Sequence, residues 1–125
     1  AASLEPIDAL LAEAEQIGVL HRMLVDRRAV IEARRQYLDV LRANAEQEII
    51  DAAGGEKALG ANEAARERAL AIALSRHDRY DRARTDLVEM EYQYEALRAT
   101  IEHKAEIQSA RRWLIRALTP SGGQA

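Results

Sequence analysis

The sequence contains no cysteine and no phenylalanine, and it has only two prolines. Without cysteine, neither disulfide bonds nor thiolate metal ligands are available. One tryptophan and four tyrosines are the only aromatic residues, so the large side chains that fill a round core are scarce. No apolar run approaches the length of a membrane span. These absences favour an aliphatic seam between helices over a globular core.

The residues that are present indicate long helices. Alanine, leucine, isoleucine, glutamate and arginine dominate, and 31% of the 125 residues are charged, which is typical of coiled coils. The length suits one domain, and the net charge of −3 excludes a polycation. Residues 1–8 lack the basic and apolar regions of a signal peptide. We therefore predict a single helical domain over residues 1–118, in a cytoplasmic protein without membrane contact.

The first long helix is predicted from about Pro6 to Ala53, with Ser3 or a neighbour as its cap and Gly54-Gly55 as its end. Apolar residues recur along it at intervals of seven, at Leu10, Ile17, Leu24, Ile31, Leu38 and Ala45. Ile7, Leu20, Leu41 and Ile49 flank this ladder. A strict seven-residue repeat predicts a coiled-coil seam rather than the wider apolar stripe of a globular helix.

A loop over residues 54–61 is predicted to lead into a short helix over about 62–74. Asn62 is the predicted cap of this helix, and Glu63 in the first turn is favourable to the helix dipole. The run Ser75-Arg76-His77-Asp78 has the form of a capping box, with the aspartate in the reaching position. This pattern favours a break there over a continuous helix.

The last long helix is predicted over about residues 77–118. It carries a second seven-residue ladder, formed by Tyr80, Leu87, Tyr94, Ile101, Gln108 and Ile115. Ala83, Met90, Leu97 and Leu118 take the companion positions. The run from Thr119 to Gly123 stops the helix, and residues 119–125 are predicted to be a disordered tail.

The two ladders predict an antiparallel helical hairpin, because neither helix can cover its apolar edge alone. One register pairs Ala45 with Leu87, Leu38 with Tyr94, Ile31 with Ile101, Leu24 with Gln108 and Ile17 with Ile115. If one helix is shifted along the other by one heptad, ladder residues again meet ladder residues. The sequence therefore does not fix the register of the two helices. Apolar side chains off the seam exceed what two helices can cover: Leu11, Val19, Met23, Val25, Val30, Tyr37, Val40, Ile50, Val88, Ile107, Trp113 and Leu114. This excess predicts a homo-oligomer.

Patterns for catalysis, cofactors and metals are weak. The loop Gly54–Gly60 lacks the Gly-Lys-Ser/Thr ending of a phosphate-binding loop and follows no strand. His77 with Asp81, and His103 with Glu106, have the spacing of metal ligands, but solvated surface histidines account for both pairs. We predict no enzymatic activity, no cofactor and no metal.

Two basic clusters are the candidates for binding nucleic acid. Arginines beside an aromatic ring can hold a phosphate backbone while a base stacks on the ring. The predicted binding residues are Arg76, Arg79, Arg82 and Arg84 at the start of the last helix, and Lys104, Arg111, Arg112, Trp113 and Arg116 near its end. Complementation of the helix dipole and a mixed-charge solvated face explain the same residues without a ligand.

A third arginine stripe lies beside the seam of the first helix. It consists of Arg27, Arg28, Arg34, Arg35 and Arg42. Glu95, Glu102 and Glu106 are its expected neighbours across the hairpin. Salt bridges between the helices are therefore its predicted use.

The order of elements resembles that of a group of small phage-encoded helical proteins, and in outline it is similar to the UvsY recombination mediators. The resemblance covers about residues 45–118 and lies in these segments: Asn62-Glu63-Ala64-Ala65-Arg66, Ala69-Leu70-Ala71, Tyr80 and Arg111-Arg112-Trp113-Leu114. It implies a ring-like oligomer that binds single-stranded DNA and helps to load a recombinase. The end of the first helix reads Glu46-Gln47-Glu48, where a mediator is expected to present basic residues. No binding residue is therefore carried over from the family.

Three functional hypotheses follow. The first is a non-enzymatic, oligomeric helical accessory protein of phage type that binds single-stranded DNA and partner proteins in recombination or replication. The second is a structural or adaptor coiled coil, such as a virion or assembly component. The third is an inhibitor of a host enzyme that uses its acidic face as a decoy.

Overall fold

The computed structural model describes residues 5–119, and this range contains helices and turns without a strand. Three α-helices follow one another: α1 (Glu5–Ala53), α2 (Glu63–Ser75) and α3 (Asp78–Leu118). The predicted all-α fold is confirmed, and each predicted helix boundary lies within one residue of the observed one. The predicted cap Ser3 and residues 120–125 of the predicted tail lie outside the described residues.

The chain divides into two compact units. The loop unit, Ala29–Tyr92, contains the second half of α1, α2 and the start of α3. The terminal unit combines Ala1–Arg28 with Gln93–Ala125. In the loop unit, Glu48 of α1 contacts His77, the residue before α3, and the earlier residue Arg35 contacts the later residue Glu91. The two helices therefore run antiparallel there.

The core of the loop unit forms where α1, α2 and α3 meet. It consists of the buried residues Leu41, Ala45, Leu74 and Tyr80, with Leu38, Ile49, Leu70 and Ala83 packed against them. Ala45 is only 1% exposed, so the two long helices approach closely at this small side chain. The short helix α2 contributes Leu70 and Leu74, which makes it part of the core rather than a surface connection.

Both seven-residue ladders face the interior. Every one of their twelve side chains is buried or half-buried, from Leu10 to Ala45 in α1 and from Tyr80 to Ile115 in α3. One ladder residue is polar: Gln108 is 7% exposed, and its Nε2 donates to the Leu10 carbonyl oxygen over 3.3 Å. The amide of this buried side chain is therefore hydrogen-bonded, as buried polar groups usually are.

The register differs from the predicted pairing. Ala45 shares its cluster with Tyr80, one heptad before the expected partner Leu87. In the terminal unit, the contact of Arg111 with Glu13 also fits a shift of one heptad, which places Gln108 opposite Ile17 instead of Leu24. The Gln108 amide reaches along α1 from there to the Leu10 carbonyl oxygen. Both ladders have the same period, so apolar spacing alone cannot distinguish these alignments.

The connection between α1 and α2 depends on glycine. Gly54 and Gly55 have φ values of 91° and 124°, a region in which residues with a Cβ are strained. The Gly55 N–H donates to the Ile50 carbonyl oxygen over 2.9 Å and closes the end of α1. A single 3₁₀ turn, Glu56–Leu59, lies within the predicted loop. The predicted cap of α2 is confirmed, since Asn62 Oδ1 accepts from the Ala65 N–H over 2.8 Å.

The break between α2 and α3 is confirmed, but Ser75 is not the cap. Ser75 is the last residue of α2, and its hydroxyl donates to the Ile72 carbonyl oxygen over 2.6 Å. His77 caps α3 instead: its Nδ1 accepts from the Tyr80 N–H over 3.3 Å. The His77 Nε2 lies 2.9 Å from Oε2 of Glu48 in α1. A neutral imidazole with its proton on Nε2 satisfies both contacts at once.

Replacing His77 with alanine is expected to lower the free energy of unfolding by about 1–2 kcal/mol, the usual cost of losing a helix cap. His77→Asn restores a capping side chain but cannot reach Glu48 in the same way, so it should recover most of that loss. Urea unfolding measures both effects, with the exposed His103 on the same helix as control (His103→Ala). Equal losses for the two histidines would contradict the capping role of His77.

Many apolar side chains remain outside the seams. Of the twelve predicted off-seam residues, only Ile50 is half-buried, and the other eleven are exposed. Further exposed apolar side chains are Ile7, Ile72, Tyr92 and Leu118. This excess of exposed apolar surface supports the predicted self-association, which remains a prediction.

Candidate nucleic-acid interface

The first basic cluster lies between the end of α2 and the first turns of α3. The backbone N–H of Arg76 donates to carbonyl oxygens at the end of α2. Arg84 Nη2 lies 3.0 Å from Asp81 Oδ1, whereas Arg79 and Arg82 are exposed. Acidic residues already occupy the first turn of α3, where the helix dipole favours negative charge. The cluster is thus a mixed-charge surface, in which Arg84 alone of the four arginines has an ion-pair partner within the described range.

Two residues of the second cluster, Arg111 and Lys104, lie beside α1 within the terminal unit. The Arg111 guanidinium contacts the Glu13 carboxylate. Lys104 is half-buried and lines a shallow groove with Arg111, Glu13 and Gln16. An acid therefore compensates the charge of Arg111, although the Arg111 side chain remains 52% exposed. The sequence offered no signal for this pairing beyond opposite charge.

The remaining residues of the second cluster form one exposed surface, which we call the Trp113 face: Arg112, Trp113 and Arg116. Arg112 and Arg116 are one helical turn apart, and Trp113 is a neighbour of Arg116 at a spacing of three residues. The indole is 72% exposed, and both arginines are exposed. Within residues 5–119, no ion pair involves Arg112 or Arg116. The face therefore combines free cations with a free aromatic plane.

An open groove runs along α3 beside the indole. Its lining residues are Glu106, Ser109, Ala110, Trp113, Leu114 and Ala117. The small side chains of Ala110 and Ala117 leave room next to the indole ring for another flat ring. The groove is apolar apart from Ser109 and Glu106, so it suits the face of a base better than a phosphate.

The charged residues on and near the Trp113 face have different electrostatic roles. Arg116 lies in the last turn of α3, where a cation also complements the helix dipole. Arg112 lies one turn earlier and has no such role. Glu106 is two turns before Trp113, about 10 Å along the helix axis, and its negative charge opposes an approaching phosphate.

Removing the Glu106 charge is accordingly expected to strengthen binding of a DNA strand. Glu106→Gln keeps the shape of the side chain and removes one like charge, so the dissociation constant should fall about two- to five-fold at low salt. Fluorescence anisotropy of a labelled oligonucleotide measures this change. Glu63→Gln, at the start of α2, is the matched control, and an equal gain there would show a mere effect of net charge.

The arginine stripe of α1 does not pair as predicted. Arg35 Nε reaches Glu91 Oε1 of α3 over 3.5 Å, and its Nη1 reaches Glu32 Oε1 over 2.9 Å. The hydrogen bond from Arg42 to Glu46 stays within α1 and raises the pKa of Arg42. The expected partners Glu95 and Glu102 both contact Arg98 of their own helix. Of the predicted interhelical bridges only Arg35 forms one, and it does so with a different partner.

Other kinds of site find little support in the part of the chain that the structure describes. No cluster of three or more histidine, aspartate or glutamate side chains there is arranged to hold a metal ion. None of its helices combines the length and apolar character needed to cross a membrane. No protein-family model, curated protein or solved structure matches the chain.

Proposed function

We propose that this chain is a non-enzymatic helical accessory protein that binds single-stranded DNA in recombination or replication. The observation that carries the proposal is the Trp113 face. The only tryptophan of the sequence is 72% exposed, between two exposed arginines with no ion-pair partner in the described range. Resemblance to the phage recombination mediators points in the same direction.

The face suits a single strand better than a duplex. Arg112 and Arg116 would hold successive phosphates, while an unpaired base stacks on the Trp113 ring and extends over the groove beside it. Such stacking contributes about 1–3 kcal/mol per base and tolerates any sequence. In a duplex the bases are stacked on one another, so only the phosphate contacts would remain.

One copy of the face gives only weak binding. Two arginines and one aromatic ring attract a DNA strand only weakly, because the net charge of the chain is −3 and repels the strand at long range. Several faces on one oligomer would engage one strand at high effective concentration, which raises the overall affinity without any new contact. The exposed apolar surface provides the means of assembling such an oligomer.

The test is titration of a labelled oligothymidine, monitored by fluorescence anisotropy, with a duplex of equal length as competitor. We expect the single strand to bind more tightly than the duplex. The logarithm of the association constant should fall with the logarithm of the salt concentration, by about 0.7 for each phosphate contacted. Absence of binding at low salt, or a preference for the duplex, would contradict the proposal.

A structural or adaptor coiled coil is the second candidate. It is favoured by the eleven exposed off-seam apolar residues, which need a protein partner but no nucleic acid. This function predicts a discrete oligomer with no affinity for oligonucleotides at physiological salt. The titration above therefore separates the two candidates.

A further inference from the structure

The shallow groove between α1 and α3 in the terminal unit, which we call the Lys104 groove, has a largely polar lining. The residues that line it are Glu13, Gln16 and Ile17 of α1 and Lys104, Ile107 and Arg111 of α3. Its volume is about 140 Å³, enough for several water molecules or for one phosphate group. Apart from the two isoleucines, every lining side chain is polar or charged.

The Lys104 groove has two cations and only one anion. The Glu13 carboxylate contacts the Arg111 guanidinium, whereas no ion pair involves Lys104 within residues 5–119. Lys104 is nevertheless half-buried, and an ammonium group that is partly removed from water favours a nearby negative charge. The groove therefore lacks one negative charge.

The contact with Glu13 leaves Arg111 able to bind a second anion. A guanidinium group has five N–H donors in a planar fork, and the contact with Glu13 is made by Nη1. The Arg111 side chain is 52% exposed, and an ion pair as exposed as this one is weak. An incoming oxyanion can therefore bind the free N–H groups of Arg111 or displace the Glu13 carboxylate.

An exposed apolar surface joins the Lys104 groove to the Trp113 face. Ile107 lines the Lys104 groove, and Leu114 lines the groove beside the indole. These two residues are seven positions apart and so lie on one side of α3, with Ala110 between them as a neighbour of both. All three side chains are exposed. The surface between the two sites thus suits unpaired bases.

We propose that the Lys104 groove binds one backbone phosphate of the same single strand whose base stacks on Trp113. This inference rests on the proposed function. A phosphodiester carries one negative charge, which is the charge that the groove lacks. Lys104 and Arg111 would hold its oxygens, while Glu13 competes with it for Arg111. Arg111 and Trp113 are two positions apart and lie on nearly opposite sides of α3, so the strand would cross the helix.

Lys104→Gln tests the phosphate contact. The dissociation constant of an oligothymidine long enough to reach both sites should rise about five- to ten-fold at low salt, and the salt slope should fall by about 0.7. Lys57→Gln is the matched control, since Lys57 is the only other lysine and lies exposed in the turn before α2. It removes the same charge and should change the dissociation constant less than about two-fold.

Glu13→Gln tests the competition for Arg111. Removal of the carboxylate charge should lower the dissociation constant about two- to five-fold at low salt. The gain should disappear when Arg111→Gln is also present, because the two substitutions act on one contact and are not additive. A purely structural role of Glu13 would change stability and leave strand binding unchanged. Circular dichroism confirms the helix content of each variant.

Three results would overturn the phosphate site. They are equal binding by Lys104→Gln and Lys57→Gln, no gain from Glu13→Gln, and a gain from Glu13→Gln that persists in the Arg111→Gln background. Quenching of Trp113 emission at saturation should be the same in wild type and Lys104→Gln, because the stacking site is intact in both. Loss of the phosphate site thus leaves the Trp113 face standing, whereas a wild type that does not bind the strand would overturn both.

Discussion

Leu41→Ala is expected to lower the free energy of unfolding by about 2–5 kcal/mol, the range for truncating a leucine that is buried in a core. Leu41 is 8% exposed and belongs to the cluster in which α1, α2 and α3 meet. Alanine would leave a cavity that the rigid backbones of three helices cannot close. Domains of this size have a total stability of about 5–15 kcal/mol, so the variant should unfold at a markedly lower urea concentration.

Leu11→Ala is the matched control, since Leu11 lies on the same helix but is 61% exposed. Its expected cost is within about 0.5 kcal/mol, as for surface substitutions that remove no packed contact. Urea unfolding followed by circular dichroism, at a concentration that keeps the protein monomeric, compares the two. Equal costs at both positions would show that the buried cluster does not stabilise the fold as described.

Charge reversal at Arg112 and Arg116 is expected to raise the dissociation constant for single-stranded DNA about 100-fold at low salt. This corresponds to about 1.4 kcal/mol for each arginine, through loss of a phosphate contact and gain of repulsion. The salt dependence should also weaken by about 0.7 in slope for each contact removed. Anisotropy titration of the Arg112→Glu, Arg116→Glu variant measures both quantities.

A second double variant, Arg68→Glu with Arg98→Glu, changes the net charge equally at other places. Arg98 contacts Glu95 and Glu102, and Arg68 donates to a backbone carbonyl within α2. Neither residue lies on the Trp113 face, so the expected weakening is only a few-fold. Similar losses for the two variants would mean that net charge, and not the Trp113 face, governs binding.

Much of the fold was predictable because heptad spacing is a direct consequence of helix geometry. A residue every seven positions stays on one side of a helix, so Leu10 to Ala45 and Tyr80 to Ile115 had to share a face in each helix. Gly54-Gly55 and Asn62 carry the turn and cap chemistry of helix ends. These local signals depend on nearby residues only, and the structure agrees with them.

The register of the long helices and the cap at the break between α2 and α3 were not predicted correctly, because both depend on contacts between distant residues. Gln108 donates to the Leu10 carbonyl oxygen, and His77 caps α3 while contacting Glu48. A polar residue in an apolar ladder signals that register is specified, but it does not name its partner. Serine is the more common cap, which is why Ser75 looked the better candidate.

The candidate site was predicted too broadly for a similar reason. The nine predicted binding residues have a positive charge or an aromatic ring and belong to the two basic clusters. The sequence does not show which of their arginines have acidic partners. Arg111 contacts Glu13, nearly a hundred positions away, and Arg84 contacts Asp81 three positions away. Arg76, Arg79 and Arg82 have no ion pair in the described range either. Among the unpaired cations of the two clusters, however, only Arg112 and Arg116 lie near an exposed aromatic ring, that of Trp113.

The emission of the single tryptophan reports directly on whether a base stacks on Trp113. Titration with an oligothymidine is expected to quench the emission, whereas an abasic strand of equal length and charge should leave it nearly unchanged. Binding of both strands with the same small change in emission, or no change with either, would contradict stacking on Trp113.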